Sequence, residues 1–186
     1  LRTTSERYRV ISADEKTADE YASHGFSYSR EYYELLLGHL EPGGLVAQWV
    51  PSTLPPSQYR MVLNTFLQSF PHVQLWYFLP AREQGPFNSV LIGSIEPVAL
   101  DAQRIDRRLQ ENPGAFASLE AFGLTSAEAL IPHFVADERI LRGALAGEPV
   151  NRYEHPRYEF FPPWAYARDR QAQVRANHEF ILELKR

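Results

Sequence analysis

A chain of 186 residues with 44% hydrophobic and 13% aromatic content is long enough for one domain with a real core, or a domain plus a small appendage, and too apolar for disorder. A formal net charge of −4 without a basic stripe argues against a nucleic-acid partner, and the lack of cysteine removes disulfides, thiolate metal sites and a cysteine nucleophile. No apolar run approaches the ~20 residues of a membrane helix and the N-terminus lacks a signal-peptide layout, so the expectation is a soluble, cytoplasmic chain without a membrane span of its own.

Taken in order, Arg2 to Arg7 is polar and looks like the end of a preceding element, and with Leu1 in place of Met it raises the expectation of a piece of something longer. Tyr8 to Ala13 has the length and β-branched content of a short strand. An acidic loop, Asp14 to Tyr21, follows, and then a small-residue turn, Ser23 to Ser27. Ser29 to Leu40 reads as a helix capped by Ser27 or Ser29, with Glu31 in its first turn and a stripe of Tyr33, Leu36, Leu37 and Leu40. Pro42-Gly43-Gly44 breaks that pattern, and Leu45 to Val50 is the second strand. Strand, loop, helix, turn and strand make two parallel strands with a right-handed crossover, and ligands of such sheets bind beyond the carboxyl ends of the strands. Asp14 and Pro51-Ser52-Thr53 lie at those ends.

Ser57 to Phe70 is the next helix, with Tyr59, Val62, Leu63, Phe66 and Phe70 on one face and Pro71 as its stop. His72 to Leu79 and Ser89 to Ser94 read as strands whose connection is too short for a helical crossover, so they are expected to be antiparallel neighbours. From Pro97 the character becomes helical: Leu100 to Gln110, Ala115 to Phe122, two helices within Thr125 to Ala146 with Asp137 as a cap, and a last one from Trp164 or Tyr166 to Lys185. Between them, prolines deny helix to Glu148 to Pro163. The division expected is 1–96 for the sheet domain and 97–186 for a helical appendage and tail.

Tyr28 to Leu36, followed by Leu40-Glu41-Pro42-Gly43-Gly44-Leu45-Val46-Ala47-Gln48-Trp49, resembles the second half of the spermidine synthase-like family. In that family a strand ends in aspartate, an acidic loop leads to a helix with an aromatic pair, and a Pro-Gly-Gly-like turn precedes a strand bearing glutamine. Thr65-Phe66 to Val73, the strand Ser89 to Ser94, and the tail Asn151 to Phe160 agree with the same family, some of whose longer bacterial members are fused to membrane-spanning segments. The resemblance implies an α/β fold: the carboxyl-terminal part of a doubly wound, Rossmann-like class I methyltransferase-like sheet with an antiparallel final strand pair. It also implies transfer of an aminopropyl group from decarboxylated S-adenosylmethionine to a small-molecule diamine, or the use of S-adenosylmethionine itself. Asp14 matches the catalytic aspartate, and Gln48 the strand glutamine near amine and nucleoside; Asp19, Glu20 and Tyr21 are the further substrate-binding candidates. A homo-oligomer and an upstream fusion to membrane segments are compatible with it.

The sequence departs from the family at Thr17, where a second loop acid stands, at Ala18 for a proline, and in the 80–87 connection, where Arg82 and Glu83 replace an amine-contacting tyrosine. The glycine-rich loop and acidic ribose-binding residue of the family belong to earlier strands that this sequence does not contain. Two other readings therefore stand beside the first: a noncatalytic ligand-sensing or assembly domain, and a methyltransferase acting on another acceptor. Gln48 is buried by strand alternation and needs a partner, either ligand or backbone. The six histidines show no metal-ligand spacing, and no metal is expected. The aromatic cluster Tyr153, Tyr158, Phe160, Phe161, Trp164 and Tyr166 is expected to pack rather than to bind.

Overall fold

A computed structural model describes residues 3–14, 25–78, 88–160 and 169–186. It is a mixed α/β structure with a five-stranded mixed sheet and, among the described residues, seven α-helices. In chain order come β1 (Tyr8–Ala13), a 3-10 turn (Gly25–Tyr28), α1 (Arg30–Gly38), β2 (Leu40–Pro51), α2 (Pro56–Ser69), β3 (His72–Phe78) and β4 (Asn88–Ser94). Three short helices follow, α3 (Ala102–Glu111), α4 (Pro113–Glu120) and α5 (Ala127–Leu130), then β5 (Phe134–Asp137), α6 (Glu138–Ala144) and α7 (Arg170–Leu184). The chain forms two compact units, Leu1–Pro97 with Val135–Arg186, and Val98–Phe134.

The sheet order is β1-β2-β4-β3-β5. β1 and β2 run parallel, as a helical connection between them requires, whereas β4 is antiparallel to both β2 and β3. Ser29 is the cap of α1, its hydroxyl accepting from the Tyr32 N–H at 3.2 Å. Pro42-Gly43-Gly44 does not precede β2 but lies inside it. The strand starts at Leu40 opposite Tyr8, and a register shift absorbs the extra residues before Leu45 pairs with Val10. Gly43 takes a φ of 69°, and a Cβ at Gly44 would stand 2.9 Å from the Glu41 carbonyl oxygen and 3.0 Å from that of Tyr8. Both positions of the bulge therefore need glycine. α1 ends at Gly38 for the same reason: Leu40 is already strand.

The core lies where α1 and α2 cover the middle of the sheet. Gly93 on β4 is flanked in register by Val46 of β2 and Val73 of β3, both fully buried. The missing side chain leaves room for Phe66 and Phe70, whose rings stack at 4.4 Å and whose atoms would lie 2.8 and 2.6 Å from a Cβ at Gly93. Tyr33 of α1 meets Phe66 edge-on at 5.0 Å.

α2 is buried on more than the single apolar face that its pattern predicts. Its polar residues Gln58, Asn64 and Thr65 are buried too, because they bind the proline-rich segment that follows α6. Gln58 donates to the Tyr158 carbonyl at 3.1 Å, Asn64 donates to that of Glu148 at 2.6 Å, and Thr65 Oγ1 accepts from the Asn151 N–H at 2.9 Å. A segment barred from helix by proline thus satisfies its backbone on side chains. Asn151, fully buried, ties the same segment to the turn before α1. Its Nδ2 donates to Gly25 O at 2.8 Å and Tyr28 O at 3.2 Å, and its Oδ1 accepts from Tyr158 N at 3.1 Å. Of the aromatic cluster in this region, Tyr158 is buried, whereas Tyr153 and Phe160 are 62% and 80% exposed; Phe161, Trp164 and Tyr166 lie outside the described residues.

β5 and the 3-10 turn at Ile131–His133 occupy part of the stretch that the sequence pattern assigns to two helices. Val135 and Ala136 are buried in a strand of only four residues, too short to show an alternation. Asp137 does cap α6, accepting from the Arg139 and Ile140 N–H groups at 3.1 and 3.0 Å. The final helix starts at Arg170, capped by Asp169, whose side chain accepts from the Gln171 N–H. In the second unit, Ser126 caps α5 and Asp106 of α3 accepts from the Ala127 N–H at 2.7 Å.

Two stability predictions follow from these contacts. Asn151→Ala leaves two carbonyls and one N–H without their partner and should lower unfolding stability by about 3 kcal/mol, read from the urea midpoint at constant m-value. Glu138 receives the Val73 N–H at 3.4 Å and pairs with His72 Nδ1 at 3.1 Å. Burial raises its carboxyl, but its own backbone N–H, His72 and Val73 outweigh burial and hold it below its ordinary value. A depressed carboxylate stabilises above its unfolded pKa and loses that contribution as pH falls through the folded one. Wild type should therefore exceed Glu138→Gln in stability near neutral pH, with the gap closing as the urea titration is repeated toward about pH 3.

Candidate functional site

Ala13 at the end of β1 lies in register with Gln48 of β2, so Asp14 is the first residue beyond β1 and stands beside the strand that carries Gln48. Asp14 is exposed and Gln48 is completely buried. The parallel pairing thus brings these two predicted residues to one end of the sheet. Asp19, Glu20 and Tyr21 lie outside the described residues, as do Thr17, Ala18, Arg82 and Glu83.

The Gln48 amide is held by two backbone carbonyls. Nε2 donates to Ala13 O at 3.1 Å and to Trp49 O at 2.9 Å. The opposite orientation of the amide would set an oxygen against two carbonyl oxygens, so the hydrogen bonds themselves decide which atom is which. Both N–H groups are then engaged, and Oε1, buried, has no hydrogen-bond partner among the described residues. What this side chain still offers is an acceptor.

Beyond Gln48 the strand end is bound into a polar cluster that the sequence pattern does not reveal. Tyr59 of α2 donates to Ser89 Oγ at 2.8 Å, and Ser89 donates to Val50 O at 2.8 Å. Burial raises the Tyr59 hydroxyl above its ordinary value, so it remains protonated and can donate. Tyr77 at the end of β3 has its hydroxyl on His178 Nδ1 of α7, and burial pushes its pKa up to about 12. The neighbouring Asn177 spans the loop after β2, donating from Nδ2 to Ser52 O at 2.9 Å and Leu54 O at 2.8 Å. Ser52 is 1% exposed, and its Oγ has no hydrogen-bond partner among the described residues. The helical stripe marks Tyr59 as core, and the stripe is right about its ring; only the strand register brings its hydroxyl to Ser89. Asn177 and His178 sit in a polar helix with no local signal linking them to residues more than a hundred positions earlier.

Among the described residues no cluster of three or more histidine, cysteine or acidic side chains is arranged to hold a metal ion, and no helix is long and apolar enough to cross a membrane. No protein-family model matches the chain, and no match was found among curated proteins.

The amide orientation makes a direct prediction. Gln48→Glu sets a carboxylate against Ala13 O and Trp49 O and should lower stability at neutral pH by about 3 kcal/mol, the usual cost of an uncompensated buried charge. The buried carboxyl's folded pKa is then raised, so the deficit should shrink as pH falls toward the unfolded value near ~4.3. Urea unfolding of both proteins across that range reads it; a deficit independent of pH would reverse the orientation argument.

Proposed function

We propose that the chain is a spermidine synthase-like transferase that moves an aminopropyl group from decarboxylated S-adenosylmethionine to a diamine in the cytoplasm. The observation that supports this reading is the Gln48 amide: with Nε2 held by Ala13 O and Trp49 O, its buried Oε1 is left as an unused acceptor on the strand whose pairing partner ends at Ala13, one residue before Asp14. Two acceptors, one of them anionic, suit an amine substrate. The parallel β1-β2 pair followed by the reversed strand β4 also supports reading the sheet as the carboxyl-terminal half of a class I methyltransferase-like domain.

In this reading the amine lone pair attacks the propyl carbon attached to the sulfonium. The carbon–sulfur bond breaks with its electrons going to sulfur, the neutral thioether leaves, and the amine's proton passes to Asp14. Asp14 holds the ammonium before the reaction and acts as its base; Gln48 Oε1 fixes a second N–H so that the lone pair points at the carbon.

The test is calorimetric titration of 5′-methylthioadenosine and then putrescine into the protein at its full native length, with Asp14→Asn as the comparison. Both ligands should bind wild type, and the Asn variant should bind the nucleoside equally while losing on the order of tenfold or more in amine affinity. Nucleoside binding without diamine binding would transfer the assignment to a methyltransferase with another acceptor. Binding of neither would leave the noncatalytic reading.

A further inference from the structure

We draw no further inference here: the strongest candidate, the apolar face that Val10 of β1, Leu45, Ala47 and Trp49 of β2, and Val90 and Ile92 of β4 form on the side of the sheet opposite Val46 and Gly93, carries nothing because nothing in the structure shows what covers it.

Discussion

The sheet can be covered because β4 has no side chain at Gly93. That absence lets the Phe66 and Phe70 rings stack directly on the backbone between Val46 and Val73, and Tyr33 closes the cluster from α1. Everything else in the first unit is arranged about this contact. α2 must lie close over β4, which brings Tyr59 to Ser89 at the strand's other end and turns Gln58, Asn64 and Thr65 away from the sheet, where they receive the proline-rich segment. A larger residue at position 93 would lift the helix and loosen both sets of bonds, since interiors packed to crystal density do not yield by a few tenths of an ångström without cost.

At the carboxyl ends of the strands the logic changes from packing to polarity. The parallel pairing of β1 with β2 sets Asp14 next to Gln48, and the amide's two backbone bonds leave one acceptor over. Natural interiors leave few such atoms, which makes the Gln48 oxygen the feature on which the proposed amine reading rests. Near the exits of β2 and β3, Tyr59 is bonded to Ser89, Ser89 to the Val50 carbonyl, and Tyr77 to His178. Against these bonded pairs, the oxygens of Gln48 and Ser52 stand buried without a hydrogen-bond partner among the described residues.

Much of this was readable in the residues because it is local. The apolar runs of β1 and β2 with a helix between them specify parallel strands, and the short 80–87 connection specifies the antiparallel neighbours β3 and β4. Ser29 and Asp137 mark their helix starts by the chemistry of the cap. What could not be read is nonlocal or too short. The four residues of β5 give no alternation to detect, and Pro42-Gly43-Gly44 looks like a turn because the register shift that keeps it in β2 is a property of the pair, not of one strand. In the candidate site, Asp14 and Gln48 follow from strand ends and alternation. Ser52 too is placed by its strand end, but its bond to Asn177 is not, since nothing within a few residues of either points to the other.

The hydrogen bonds from Asn177 to the loop after β2 join residues 123 and 125 positions apart in sequence. On a ribosome adding about 5–20 residues per second, that loop waits on the order of ten seconds for the helix that holds it. Through that interval the Ser52 and Leu54 carbonyls lack the Asn177 amide, and Phe180 and Ile181 of α7 are missing from the core that they help to fill. Completion of the core is thus a late event of synthesis, and a chain truncated before α7 would be a sheet with an unheld loop after β2 and an unfilled core.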